Sequence, residues 1–477
     1  MTCSFRTLII FALILRHRGL NMKQYDVIII GSGAGALIVD EALAKGLKVA
    51  LVDRGPLGGT CLNLGCVPSK MLIYTADRIV EIQEAKKLGV AAEIKSIDFA
   101  SIMERMRKSR AESQAYIRKG IKEPENLDFY EKEGYFIEDY VMDVDGEKIK
   151  GKKIFIASGS RPVIPPIKGL DSIDYYLTNE NVLELMQRPE SLVIIGGGYI
   201  AVEFAHFFTA MGTKVTILEM LNRIAQSEEP EISELLEKEM KKRMDIYTNT
   251  QVEEIKKDGT GIITVARDKA TGKQTEFPAQ RIMVAVGRRS NADLLKVGST
   301  GVELDKRGFI KVDEYLETTK KDIFALGDAN GQQMFTHVAN REASLAWHNS
   351  THKNRIKMDY SAAPHAVYSH PQIASVGLTE ENAKKDYHIL VGRAKYFDTA
   401  KGEAMMEEEG FAKAIVDGHS GKILGFHIIG PYAPELIQEV VNAMATGGDM
   451  HSINDGMHIH PAMSELILRT FENLEAA

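Results

Sequence analysis

The stretch Gly58–Lys70 reads GGTCLNLGCVPSK and sets Cys61 and Cys66 with four residues between them. Two thiols so placed can open and close as a disulfide, a two-electron couple that exchanges when a thiolate attacks sulfur. The residues from Cys66 to Glu84 read as helical, which sets Cys66 near a helix start, where the dipole lowers thiol pKa. The competing uses of such a pair are half of a zinc site or plain packing. A closed zinc site needs a second pair, and the chain's one further cysteine is Cys3. Near the other end, residues 458–465 read HIHPAMSE. Oxidising a dithiol at neutral pH requires a base close to the sulfurs, and imidazole titrates in the right range. A carboxylate on the second ring nitrogen fixes the tautomer and stabilises imidazolium. His460, with Pro461 beside it and Glu465 five residues on, has the residue types for this; His458 and His451 lack that support and read as structural.

These groups need a scaffold, and the sequence supplies the same one twice. Tyr25–Asp53 reads YDVIIIGSGAGALIVDEALAKGLKVALVD: an apolar β-branched run, glycines, helix-period residues up to Gly46, then a second strand. Gly31, Gly33 and Ala36 fill the three small-residue positions of a dinucleotide fingerprint: tight turn, backbone approach to pyrophosphate, close helix–strand packing. The helix N-terminus offers N–H groups and positive dipole to phosphates. Asp53 ends the second strand, where a carboxylate can accept from ribose hydroxyls. The pattern returns from Leu192 to Glu219 with Gly196, Gly198, Ala201 and the closing acid Glu219. One copy is a weak signal; two ordered copies predict two bound dinucleotides. Glu219 suits a free 2′-hydroxyl and repels a 2′-phosphate, so NAD(H) is expected over NADP(H), with Arg223 the one nearby cation arguing the other way.

The 477 residues, 44% hydrophobic and 26% charged, suffice for about three domains. With 59 basic against 66 acidic residues the net charge is −7, which gives phosphate backbones no general attraction, and no nucleic-acid partner is expected. The apolar octet Leu8–Leu15 is too short to span a bilayer, so no membrane partner is expected and the location is read as cytoplasmic. Residues 1–21, with Cys3 inside, read as a non-folding extension or a misassigned start before Met22.

The GGTCLNLGCVPSK stretch, the paired fingerprints and HIHPAMSE together resemble the FAD-dependent pyridine nucleotide-disulfide oxidoreductases, within them most of all the dihydrolipoamide dehydrogenases, over nearly all of residues 22–477. The resemblance implies an α/β fold: two Rossmann-like domains, for FAD and NAD, plus a C-terminal α+β dimerisation domain. It places a non-folding extension at 1–21, the FAD domain at 22–159 and 287–361, the NAD domain at 160–286 and the dimerisation domain at 362–477. It assigns Cys66 to the flavin-proximal sulfur, Cys61 to the interchange thiol, and Lys70 and Glu203 to an ion pair beside the flavin. Asp328, in TKKDIFALGD, would reach the FAD ribityl and pyrophosphate region, and FTHVANREA would form the next helix. His460 would be the base, Glu465 its orienting partner, and the His460–Pro461 bond cis, with the motif facing the cysteine pair of the other subunit in a homodimer with shared sites. The implied activity is oxidation of a dihydrolipoyl dithiol, free or on a lipoyl domain, with NAD. The alternative is a nicotinamide-dependent reductase of a low-molecular-weight disulfide of the mycothione or glutathione type. Mercuric and high-molecular-weight thioredoxin reductases are disfavoured by the missing C-terminal cysteine pair, and a flavin-binding redox sensor leaves the four redox residues unexplained. Three departures from the family stand out: Asp53 for glutamate, Ala36 for the third glycine, and Ser290 for proline after GRR.

Overall fold

A computed structural model describes residues 22–259 and 261–477. The extension at 1–21, with Cys3, lies outside the described residues. The described chain divides into two units. One holds the chain up to Asn63, Arg110–Arg161 and Arg288–Met358; the other holds Leu64–Ser109, Pro162–Gly287 and Asp359–Ala477.

The first unit is built on strand Lys23–Ile30, which pairs in parallel with Val49–Val52 on one side and Glu147–Ile156 on the other. Leu127–Tyr130 extends the parallel sheet beyond Val49–Val52, Ile323–Ala325 joins Glu147–Ile156, and an antiparallel meander completes seven strands. The run of apolar residues follows from burial on both faces. Val27 and Ile29 point to a core shared with Ile38 and Ala42 of helix Gly35–Ala44 and Trp347 of helix Thr336–Thr351. Ile28 and Ile30, one residue out of phase, point to a second core with Phe136 and Met142.

The second unit repeats this logic on a four-stranded parallel sheet centred on Ser191–Ile195 and Lys214–Leu218. Leu192 and Ile194 face a core containing Leu72 and Ala76 of helix Cys66–Glu84 and Val202 and Ala205 of helix Tyr199–Ala210. Val193 and Ile195 face another with Phe277 and Ile282. An antiparallel meander, residues Thr250–Asp258, Gly261–Asp268 and Gln274–Ala279, belongs to this unit. So does a six-stranded antiparallel C-terminal sheet, where helices Gln438–Ala445 and Glu465–Glu472 pack Val440, Leu466 and Phe471 onto Val376 and Phe426. The expected architecture, parallel nucleotide-type sheets plus a C-terminal α+β module, is the one observed. No helix among the described residues is long and apolar enough to cross a membrane.

That C-terminal sheet is tied to the helix Pro230–Met240 by a buried ionic cluster. Lys413, with a side chain 2% exposed, places its Nζ 2.8 Å from Glu229, 2.5 Å from Glu231 and 2.7 Å from Glu380. Arg393 adds a second cation at 2.9 Å from Glu231 and 3.2 Å from Glu380. The three carboxylates sit close enough to hold a metal ion, but the ammonium already supplies their counter-charge. Removing one partner of a buried charge set leaves the others uncompensated. Lys413→Met is therefore expected to lower the unfolding free energy by about 3–5 kcal/mol in urea titrations.

Candidate active site

In the first unit the chain leaves its central strand through Gly31, whose φ is +102° and where an added Cβ would lie 2.2 Å from the Ala157 carbonyl oxygen. No side chain fits. Gly33 is crossed by Gly59, whose own Cβ would come within 2.7 Å of the Gly33 Cα. The close helix–strand approach expected at Ala36 is made instead by Gly35, the first residue of its helix, where a Cβ would meet Ile29 at 2.8 Å. Ala36 is exposed, because the helix begins one residue before that position and turns it outward. The carboxylate of Asp53 accepts from the Ser32 N–H at 2.6 Å and the Gly55 N–H at 2.7 Å. It thus locks the fingerprint turn to the end of the second strand.

Ser32 carries this order onward: its Oγ accepts from the Gly58 N–H at 2.9 Å, at the start of the loop that leads to Cys61. Cys61 is half-buried in the short helix Gly59–Asn63. That helix is pinned by Asn63, a fully buried residue whose side chain donates to the carbonyls of Leu57 and Gly59, both at 2.8 Å, and accepts from Gln114. Asp328 lies in the turn Gly327–Ala329 and accepts from Ser160 Oγ at 2.5 Å. Arg288 grips the same serine, donating to its Oγ at 2.7 Å and its carbonyl at 2.8 Å. Glu342, buried in the helix that begins at Thr336, accepts from the Gly327 N–H at 2.5 Å and holds the turn from behind. Ser290, standing where the family has proline, donates to the Ala329 carbonyl at 3.0 Å, so the departure fastens that same turn. Sequence reading missed Asn63, Ser160, Arg288 and Glu342, which act through contacts 4 to 168 positions away. The one available signal was the polar residue type within an apolar or glycine-rich segment.

The second unit wires its fingerprint in the same way. Gly196 has φ +107°, and a Cβ there would lie 2.4 Å from the Ala285 carbonyl oxygen. Gly198 has open space where a side chain would be, as a turn needs if a pyrophosphate is to approach the backbone, and Ala201 is fully buried in the helix. Glu219 accepts from the N–H groups of Gly197 and, at 2.7 Å, Leu221. In both units the acid binds the middle residue of its turn and the residue two places after itself. Each carboxylate oxygen keeps a lone pair for ribose hydroxyls, so both sites fit a dinucleotide. Arg223 lines an open cleft with Asn222, Glu234, Glu237, Lys238 and Lys241.

Cys66 is the first residue of helix Cys66–Glu84 and is exposed there, where the dipole favours a thiolate. Lys70, one turn on, places Nζ 2.8 and 2.7 Å from the two carboxylate oxygens of Glu203, which is buried on helix Tyr199–Ala210. The two helices are joined again further along. His206 bonds Asp77 at 2.8 Å, Arg243 donates to the other ring nitrogen at 3.2 Å, and His370, stacked on His206, bonds Glu84 at 3.0 Å. Burial pushes the His206 imidazole down to about 4, against the opposing pull of Asp77.

His460 Nδ1 lies 2.9 Å from Glu465 Oε1, and the second carboxylate oxygen accepts from the Ala462 N–H at 3.1 Å. The histidine holds the Glu465 carboxyl below its ordinary range, with the Ala462 N–H adding to the effect. With Nδ1 committed, Nε2 is the proton acceptor, on a side chain 70% exposed. The His460–Pro461 bond is cis. His458 is held on both ring nitrogens, by Glu439 at 2.8 Å and the Gly456 carbonyl at 3.1 Å, and His451 opens the short helix His451–Asn454. The structure therefore brings together Lys70 with Glu203, His460 with Glu465, and each fingerprint with its acid. Cys61 falls in the first unit and Cys66 in the second.

The family described as pyridine nucleotide-disulphide oxidoreductase matches residues 25–343, and its dimerisation domain matches residues 363–470. The chain is 35% identical over 460 residues to the mycothione reductase of Mycobacterium tuberculosis (strain H37Rv), covering 94% of this chain and 98% of that protein. It is 34% identical over 461 residues to the dihydrolipoyl dehydrogenase of Geobacillus stearothermophilus, covering 94% and 96%. Among solved structures, the copper(II) complex of the HOCl-induced flavoprotein disulfide reductase RclA from Escherichia coli superposes with a TM-score of 0.84 at 27% identity, covering 94% of this chain and 99% of that one.

The buried His206 gives a pH test of the helix pairing. Its folded-state pKa of about 4 lies below the free value of 6.5, so between them the unfolded chain binds a proton that the folded chain refuses. Its contribution is complete above pH 6.5 and declines as pH falls toward 4. Over that window the unfolding free energy should drop by up to about 3 kcal/mol, a slope that His206→Gln should flatten in urea titrations.

Proposed function

The chain belongs to the pyridine nucleotide-disulphide oxidoreductase family, flavoproteins that couple a redox-active disulfide to a nicotinamide dinucleotide through FAD, and on that premise we propose that it oxidises a dihydrolipoyl dithiol with NAD. The observation that carries the dithiol chemistry is the His460–Glu465 pair at 2.9 Å, an imidazole with its tautomer set and Nε2 turned outward. The buried acid Glu219 supports NAD over its phosphorylated form. Residues 22–159 and 287–361 would form the FAD domain, with Gly31, Gly33, Ala36, Asp53 and Asp328 around the cofactor. Residues 160–286 would hold the nicotinamide dinucleotide through Gly196, Gly198, Ala201 and Glu219. Residues 362–477 would join two copies, with the cytoplasm as their setting.

In this reading His460 of the partner subunit takes a proton from the dithiol, and the thiolate attacks Cys61 of the closed pair, expelling Cys66 as a thiolate. The second substrate thiol, deprotonated in turn, attacks the substrate sulfur of the mixed disulfide and releases Cys61. The substrate leaves as a disulfide, and its two electrons rest on the cysteine pair. FAD, when bound, supplies the route by which those electrons reach NAD, re-forming the Cys61–Cys66 bond and yielding NADH with one proton released. The Cys66 thiolate is supported by its helix N-terminus and by Lys70, held in turn by Glu203.

A second reading runs the same chemistry in reverse, reducing a low-molecular-weight disulfide with a nicotinamide. It is favoured by the mycothione reductase, which this chain matches along 98% of that protein's length. Purified protein assayed with dihydrolipoamide and NAD, and separately with mycothiol or glutathione disulfide and NADH or NADPH, decides between them. The proposal expects turnover in the first assay, and turnover only in the second overturns it. With whichever pair turns over, the 2′-phosphorylated cofactor should be at least ~10-fold less efficient, and equal efficiency overturns the role given to Glu219. Cys66→Ser and His460→Gln homodimers should each lose about 10²-fold or more. Their heterodimer keeps one intact site and should recover about half the activity per dimer; no recovery contradicts sites shared between subunits.

A further inference from the structure

The Lys70–Glu203 pair has a third member. Tyr368 directly follows strand Pro364–Val367, and its backbone N–H donates to Glu203 Oε1 at 3.1 Å. Its ring lies under the lysine, with Lys70 Nζ 4.5 Å from the ring centroid. The ammonium is therefore held on one side by two carboxylate oxygens and on another by an aromatic face. A cation within about 6 Å of a ring is drawn by the quadrupole, more strongly where water is partly excluded. Here the Lys70 side chain is 33% exposed and that of Glu203 is 10% exposed. Lys70 stands four residues after Cys66 on one helix, so the two project from the same face.

We propose that Tyr368 is a positioning residue for the thiol–disulfide step, its ring face fixing Lys70 where the ammonium supports a Cys66 thiolate. The proposal rests on the reading of Cys66 as part of the redox pair. The charged groups around the ring are Lys70 and Cys66 from helix Cys66–Glu84, Glu203 from helix Tyr199–Ala210, and Glu435 from the short helix Ala433–Leu436. The phenol is pushed up by burial first and then by the negative charges of Glu435, Glu203 and Cys66, which places the ring among them. Without the ring, the four-carbon stem of Lys70 regains rotamer freedom. Glu203, still fixed by the Tyr368 backbone, then weighs more heavily, and its negative charge disfavours a thiolate. The hydroxyl has no part in this, so phenylalanine should serve as well as tyrosine.

The test is the pH dependence of Cys66 alkylation by iodoacetamide, followed at that residue by mass spectrometry in the full-length Cys61→Ser protein. Tyr368→Leu should raise the apparent thiol pKa by about 0.5–1, and Tyr368→Phe should leave it in place. Lys70→Met should raise it at least as far, and the double variant Tyr368→Leu/Lys70→Met no further than Lys70→Met alone. Tyr368→Met repeats the loss of the ring if leucine disturbs packing. An unchanged thiol in Tyr368→Leu or Tyr368→Met beside a shifted one in Lys70→Met overturns the role of Tyr368 alone. An unchanged thiol in Lys70→Met overturns the support given to Cys66 by Lys70 as well. A shift in Tyr368→Phe as large as in Tyr368→Leu, or additive shifts in the double variant, also overturns the proposal.

Discussion

A thiolate has to exist at neutral pH, on a segment that cannot drift, for any disulfide chemistry to run in this chain. In the proposed chemistry the interaction that would meet both demands is the ion pair between Lys70 and Glu203. It joins the helix that begins at Cys66 to the helix that begins just after Gly198 in the second dinucleotide turn. The buried carboxylate of Glu203 is tolerated only with its charge satisfied. Here Glu203 accepts from Lys70 and from the Tyr368 backbone, while the same two helices meet again through Asp77 and His206. A single residue change at the pair would therefore act on the helix that begins at Cys66 and on the helix that follows the second glycine turn together.

The two fingerprint turns show how one physical solution is used twice. Each needs a glycine with positive φ where a carbonyl leaves no room for a side chain, opposite Ala157 in one case and Ala285 in the other. Each is then closed by an acid that takes two backbone N–H groups, Asp53 in the first unit and Glu219 in the second. The acid is one methylene shorter in the first turn and still reaches its partners, so the departure from glutamate there is absorbed locally. The two copies differ in helix onset. Gly35 packs against its strand in the first, while in the second Ala201 is the buried small residue.

The catalytic histidine of the proposal is held differently from the rest. His460 projects into solvent from a C-terminal module whose stability comes from elsewhere: the apolar sandwich of sheet and helices, and the charge cluster around Lys413. A rigid module carrying an exposed imidazole suits a base that is offered outward to another subunit.

Spacing singled out part of the candidate site, and the family resemblance added Lys70, Glu203 and Asp328 and the roles of His460 and Glu465. The cysteine pair, both glycine turns with their acids, and the histidine–glutamate motif are local patterns whose function requires fixed separations along the chain, so they are legible without coordinates. The central strands were legible as continuous apolar β-branched runs, while the core that each face enters was not. The residues that hold these groups in place were not. Asn63, Ser160, Arg288 and Glu342 act on segments up to 168 positions away and Tyr368 on Lys70, 298 positions away, and the distant partners become neighbours only after the chain has folded. That Gly35 rather than Ala36 makes the close approach to the strand was equally invisible, since it depends on Ile29 lying 2.8 Å from where a Cβ would stand. Sequence fixes what short-range geometry can encode; orientation of those groups is a long-range property, set by which buried polar atoms find partners when the layers close.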